Sequence, residues 1–136
     1  MQCVELNPVG HFDPWEEKMI EELFDQEISR SLGGRLVFEN ESIKLWDIKL
    51  IPGERMPFRK HVTNFSWVCT TGGLTLTRSG NGKISMIKIN PGDTEYFEFE
   101  GKNHIYDLEN IGEEAILINI LEYKNSNVEK QLLFSD

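Results

Sequence analysis

From Gly34 to Lys124 the chain is cut by turn signals about every eight to twelve residues, and that punctuation limits the fold more than any other feature. The separators are Asn40-Glu41-Ser42, Pro52-Gly53, Gly72-Gly73, Ser79-Gly80-Asn81-Gly82, Asn90-Pro91-Gly92-Asp93, Gly101 and Asn110-Ile111-Gly112. Between them lie short runs with β-branched, aromatic and aliphatic residues: 35–39, 43–51, 65–71, 74–78, 83–89, 94–99, 104–108 and 115–123. Segments this short cannot form the long helices of a bundle or of a parallel α/β sheet. The pattern predicts an all-β sandwich or barrel. Ser79–Gly82 is the strongest hairpin signal, because its residues tolerate the left-handed conformations that tight β-turns need.

The N-terminal part reads differently. Residues 1–12 look irregular, with Pro8 and Gly10 breaking any pattern. Asp13-Pro14 then has the form of an N-cap followed by proline at the first helical position. Apolar residues recur at Trp15, Met19, Ile20, Leu23, Phe24, Ile28 and Leu32, one face of a helix, before Gly33-Gly34 stops it. The spacing predicts one amphipathic α-helix over 14–32. The expected organisation is an N-terminal segment and helix over 1–34, a barrel over 35–124 and a C-terminal tail over 125–136. Leu132-Leu133-Phe134 in that tail are expected to dock on the domain.

Composition excludes several classes of function. The 136 residues suit one domain. A formal net charge of −9 lacks the basic footprint of a nucleic-acid binder and is repelled by anionic membranes. Nucleic acid and membrane are therefore not expected as partners. The two cysteines, Cys3 and Cys69, have no framework spacing, so a reducing, cytoplasmic setting is expected. No signal peptide or membrane-spanning run is expected either. A Gly-rich phosphate loop, a nucleophile elbow and a His-Glu-x-x-His helix are all missing.

Chemistry concentrates in two stretches. Pro52–Gly73 carries Arg55, Arg59, Lys60 and His61 and ends in an apolar strand. The second is Asn90-Pro91-Gly92-Asp93-Thr94-Glu95-Tyr96-Phe97. Together they resemble the two motifs of a small single-domain cupin. The first motif reads from Gly53 through Arg59 and His61 to Gly72. The second opens at Pro91-Gly92-Asp93 and closes at Tyr106-Asp107-Leu108-Glu109-Asn110. The region 35–51 also resembles the opening strands of these proteins, so coverage is about residues 35 to 123. The resemblance implies a cupin-type double-stranded β-helix, a jelly-roll barrel, with the α-helix added at the N-terminus. Because cupins generally form dimers, it also implies a homodimer, for which the helix stripe offers an apolar face.

Metal-binding cupins use His, His, Glu and His, all pointing into the barrel. Here Arg59 stands at the first position and His61 keeps the second. Phe65 replaces the Glu, with Ser66 as the alternative if the register slips. Tyr106 replaces the last His, with His104 as the alternative. A guanidinium about 4 Å from a divalent ion is repelled by roughly 8 kcal/mol at an effective dielectric of about 20. The expectation is therefore a barrel with no metal site and no cofactor.

Strand side chains alternate between faces. If His61 points into the barrel, then Arg59, Thr63, Phe65, Trp67 and Cys69 share its face. If Tyr106 points in, so do His104 and Leu108. Glu95 and Phe97 share a face of their strand. The expected ligand-binding residues are Arg59, His61, Phe65, Trp67, Glu95, Phe97, His104 and Tyr106. Arg59 would clamp an anionic group, and His61 would be the catalytic acid or base if there is chemistry, since its ordinary pKa of about 6.5 lies near neutrality. The first reading is a metal-free cupin that binds a small polar or anionic metabolite. One alternative is a metalloenzyme of the dioxygenase or isomerase type using His61, His104 and Glu95. Another is a non-catalytic interaction protein. Cys69 reads as a small buried hydrophobe.

Overall fold

The computed structural model describes residues 1–7, 9–10, 12, 15–24, 28–101 and 104–124. The elements in order are β1 (Gln2–Asn7), α1 (Glu17–Leu23), β2 (Arg35–Glu39), β3 (Ile43–Leu50), β4 (Arg55–His61) and β5 (Asn64–Cys69). They continue with β6 (Gly73–Arg78), β7 (Ile84–Ile89), β8 (Thr94–Phe97), β9 (His104–Asn110) and β10 (Ile116–Tyr123). Two five-stranded antiparallel sheets result, with orders β1-β7-β6-β9-β4 and β2-β3-β10-β5-β8. All eight predicted strand runs are present.

The core follows from alternation. Along β10, Ile116, Ile118 and Ile120 are buried at every second position. They meet Ile48, Leu50 and Phe65 from their own sheet, and Ile89 and Leu108 from the facing one. The turns supply the sharp reversals: Gly53 and Gly92, each after a proline, have φ of +84° and +85°. Only glycine adopts such angles without steric cost. The asparagine that closes the second motif, Asn110, is fully buried and cross-links the turn region. Its Nδ2 donates to the carbonyls of Leu50 and Glu114, and its Oδ1 accepts from the Gly112 amide.

Three features differ from the sequence expectation. Residues 2–7 are not irregular but form β1, paired along β7 from Gln2↔Lys88 onward. Nearly all of its side chains are exposed, so it is held by ladder hydrogen bonds and leaves no burial pattern to read. The first motif contains a strand of its own, β4, which the turn spacing did not mark. A register shift between Met56 and Arg59 interrupts its pairing with β9 and blurs its period. The helix spans only Glu17–Leu23, not 14–32; its proposed start at Asp13-Pro14 lies outside the described residues. Beyond it the chain is extended at Ser29, which bridges Arg59 in parallel and accepts a hydrogen bond from the Lys60 amide at 2.8 Å. β4 is the last strand in its sheet, and this pairing covers its open edge, a tertiary demand that overrides helical periodicity. Leu32, placed on the helix face by sequence, is instead in the barrel core.

The short helix covers the outer face of the β1-containing sheet. Trp15, Met19 and Leu23 pack with Phe58 and Ile84 in a second apolar cluster. Trp15 stacks on Phe58 at 5.8 Å and donates its indole N–H to the Gly82 carbonyl at 3.0 Å. The stripe that offered a dimer face is thus used within the chain, although Phe24 remains exposed. The expected docking of Leu132-Leu133-Phe134 lies outside the described residues. No described helix is long and apolar enough to cross a membrane.

An ionic node ties helix to barrel. The fully buried Asp107 carboxylate accepts from Arg55 Nε at 2.7 Å, Arg78 Nη1 at 2.8 Å and the Arg78 amide at 2.6 Å. Arg55 continues to Glu22 on α1, and Arg78 to Glu109. Removing the central charge leaves two mostly buried guanidiniums without it. Asp107→Asn should cost about 3 kcal/mol in chemical denaturation, whereas Glu22→Gln, at the more exposed end, should cost under about 1 kcal/mol. Equal losses for the two variants would show that Asp107 is not the node.

Candidate functional site

Between the sheets, at the barrel end where β4 and β9 pair through His61↔His104, lies a cavity of about 450 Å³. The register brings distant residues together there. His61 and His104 are cross-strand partners, and Phe65 on β5 lies opposite Phe97 on β8. Their rings form one continuous chain. His104 stacks on Tyr106 at 6.1 Å, and Tyr106 meets His61 edge-on at 5.3 Å. His61 tilts against Phe65 at 5.0 Å, Phe65 stacks on Phe97 at 4.9 Å, and Phe97 meets Trp67 at 5.7 Å. Six of the eight residues expected from sequence are in this chain, and all six line the cavity.

Arg59 and Glu95 do not line it. Arg59 Nη1 donates to Ser29 Oγ at 3.2 Å, on the segment that covers the edge of β4. That bond directs one end of the guanidinium to the edge segment rather than into the cavity, while Arg59 Nε is buried without a partner. Glu95 is opposite Trp67 in register but sits on the edge strand β8, where it is exposed. An Arg59–Glu95 pair is not formed. Cys69 is buried in the core, and burial pushes its thiol up to about 11, which makes it inert as a nucleophile.

Sequence reasoning missed several lining residues: Met56, Ser85, Thr77 and the run Glu98, Phe99, Glu100. The last was legible in part, since Phe97 and Phe99 are two residues apart.

The polar atoms of the cavity are under-used. His61 Nδ1 and Trp67 Nε1 are buried and lack a hydrogen-bond partner. Burial, followed by the charge of His104, lowers the His61 pKa to about 4. His61 is therefore a neutral imidazole near pH 7. With that lowered pKa it is a weak base and keeps a single ring N–H, without the readily lost second proton of an imidazolium.

The metal reading can be tested on the donor set. At the four family positions, His61, Phe65 and Tyr106 line the cavity while Arg59 turns to Ser29. Only one of the four is an imidazole. Among the described residues no three His, Cys, Asp or Glu side chains converge in a way that could hold a metal. The set His61, His104 and Glu95 is not assembled, because Glu95 lies outside the cavity. The residues present do not fit the metal of the fold family.

No family model and no curated protein matches the sequence. Solved structures do. A cupin domain from Bordetella pertussis Tohama I aligns with a TM-score of 0.58 at 20% identity, covering 67% of this chain and 91% of that one. The Cnp3 cupin domain of Schizosaccharomyces pombe aligns at 0.53 and 15% identity, covering 75% and 67%. A protein with a double-stranded β-helix domain from Klebsiella pneumoniae aligns at 0.53 and 18%, covering 76% and 85%. The protein has the cupin fold, a double-stranded β-helix with one short helix added. At these identities the likeness establishes the fold alone, and the site must be read from its own side chains.

The depressed pKa of His61 has a sign that stability measurements read. In the unfolded chain His61 takes a proton near pH 6.5, and in the fold only near 4. Above pH 6.5 both states are neutral and His61 costs nothing. As pH falls from 6.5 to 4, the unfolded state alone gains the proton, so stability is lost across that window. Wild type should lose about 2 kcal/mol more than His61→Gln between pH 7 and 4.5. Parallel pH profiles for the two proteins would show that His61 is not desolvated.

Proposed function

We propose that this protein binds a small organic molecule inside the barrel, without a metal. The observation that carries this reading is the pairing of apolar aromatic walls with two buried, unpartnered polar atoms, His61 Nδ1 and Trp67 Nε1. Binding pockets have this make-up, a mostly apolar lining with a few polar groups that fix orientation. Leaving a buried donor unpaired costs roughly 1–3 kcal/mol, a cost removed when a ligand atom completes the bond. The ligand would fill the space beside Phe65, Phe97 and Trp67 and place an acceptor at the Trp67 indole N–H. The anionic metabolite expected from the sequence has lost its clamp, since Arg59 is directed to Ser29. A polar group on a largely apolar body fits better.

Catalysis has less support. A neutral His61 can orient a ligand, but its buried Nδ1 has no hydrogen-bond partner through which a proton could be relayed. A homodimer rests on the resemblance alone, with an interface other than the buried helix stripe. Two free thiols, Cys3 and Cys69, fit a reducing compartment such as the cytoplasm.

A fragment screen followed by thermal shift and intrinsic fluorescence tests the reading. Ligands that bind the native state raise its melting temperature. Trp67→Phe should not lower the melting temperature of the free protein, since removing an unpaired donor offsets the lost ring area, but should abolish the fluorescence response and weaken hits roughly fivefold, the worth of one hydrogen bond. Hits that bind Trp67→Phe as tightly as wild type would place binding outside the barrel.

A further inference from the structure

Apart from its two histidines, the ionisable side chains among the described residues that line the cavity and carry charge near neutrality are carboxylates. Phe65, Trp67, Phe97, Phe99 and Tyr106 give it aromatic walls. Glu98 and Glu100 also line it, and both are exposed, which puts them at its mouth. Among the described residues no Lys or Arg lines it. Resting on the reading that the barrel holds a small molecule, we propose that this molecule is an organic cation: an ammonium group joined to an apolar or aromatic body. The body lies among the rings and the ammonium near the carboxylates at the mouth.

Three physical effects favour this class. Aromatic faces carry negative charge density, so a cation over Trp, Tyr or Phe rings is attracted where an anion is repelled. Carboxylates beside a low-dielectric wall strengthen that preference and oppose an anionic ligand. Glu98 already has a partner within the chain, so Glu100 is the carboxylate on which the preference turns. The third is His61. A buried neutral imidazole has one ring nitrogen that accepts a hydrogen bond, so it favours a donor on the ligand over an anionic group. Burial keeps His61 uncharged near pH 7, so no imidazolium there competes with a bound cation. The whole-chain charge of −9 also draws cations toward the protein and raises their encounter rate.

A matched series isolates the charge: phenethylamine, phenethyl alcohol and hydrocinnamate, which share the phenyl ring and differ in the charge of the terminal group. Affinity is read by calorimetry and by the Trp67-dependent fluorescence on the full chain. The amine should bind roughly tenfold more tightly than the alcohol, and the carboxylate most weakly. Glu100→Gln should cut the preference for amine over alcohol to about threefold or less, with alcohol affinity unchanged. Trp67→Phe should weaken the alcohol, whose oxygen can accept from the indole N–H, more than the amine, which carries no acceptor and loses only ring contact. An alcohol that binds as tightly as the amine, or a preference that survives in the Glu98→Gln/Glu100→Gln double variant, overturns the cation proposal and leaves the barrel reading intact. If none of the three probes changes the melting temperature or the Trp67 signal at millimolar concentration, both the cation proposal and the barrel reading fail.

Discussion

The carboxylate of Asp107 is the point on which the site's geometry depends. It is held by two guanidiniums and a backbone amide on the sheet face that α1 covers. Neighbouring side chains in a strand point to opposite faces, so fixing Asp107 on the helix side sends Tyr106 and Leu108 into the barrel. A slip of one residue in β9 would place Asp107 in the apolar core and Tyr106 against Arg55. Burying an unpaired carboxylate there costs several kcal/mol, far more than the ladder hydrogen bonds distinguish. The ionic node therefore sets the register of β9, and through it the position of His104 opposite His61.

The strands were legible because turn residues and apolar alternation agreed over most of the chain. Asn90-Pro91-Gly92-Asp93 shows that agreement at one turn: Asp93 Oδ2 accepts from the Asn90 amide, and Gly92 takes the positive φ. Six cavity residues were legible for the same reason, since alternation carries from His61 through Phe65 to Trp67. Arg59 and Glu95 were misplaced because alternation predicts the face of Cβ and not where a long side chain ends. Arg59 starts opposite Tyr106 and reaches sideways to Ser29, a contact made by a segment that sequence periodicity had placed in a helix. β1 was invisible because its side chains are exposed and carry no period. Its ladder, with Asn7 bonded to Gly82 and Ile84 and Glu5 paired with Lys83, leaves no apolar alternation for a sequence to show.

The residues that stand at the family metal positions also explain how the cavity changes character. A metal centre needs charge and nitrogen or oxygen donors facing one point. Here Phe65 and Tyr106 bring rings instead, and both contact His61 directly. The same substitutions that remove donors remove water from around His61, and desolvation is the first cause of its lowered pKa. Rings in place of donor side chains around His61 and the neutral state of its imidazole are thus one physical event.

That event carries a cost that the fold retains. Small domains are stable by roughly 5–15 kcal/mol, and each buried unpaired polar group takes back about 1–3 of it. His61 Nδ1 and Trp67 Nε1 stand a few side chains apart in one aromatic chain, with no partner for either. A core optimised for stability alone would place a phenylalanine at both positions, since nothing else in the barrel bonds to these nitrogens. Other buried polar groups of the described core are satisfied: Asn110 uses both ends of its amide, and Glu122 accepts from Trp46 and Thr63, while Arg59 Nε, at the covered edge of β4, is a third unpartnered atom. The contrast within one core separates the two kinds of polar residue. Asn110 and Glu122 hold the barrel together, while His61 Nδ1 and Trp67 Nε1 are buried with no partner that the described barrel supplies.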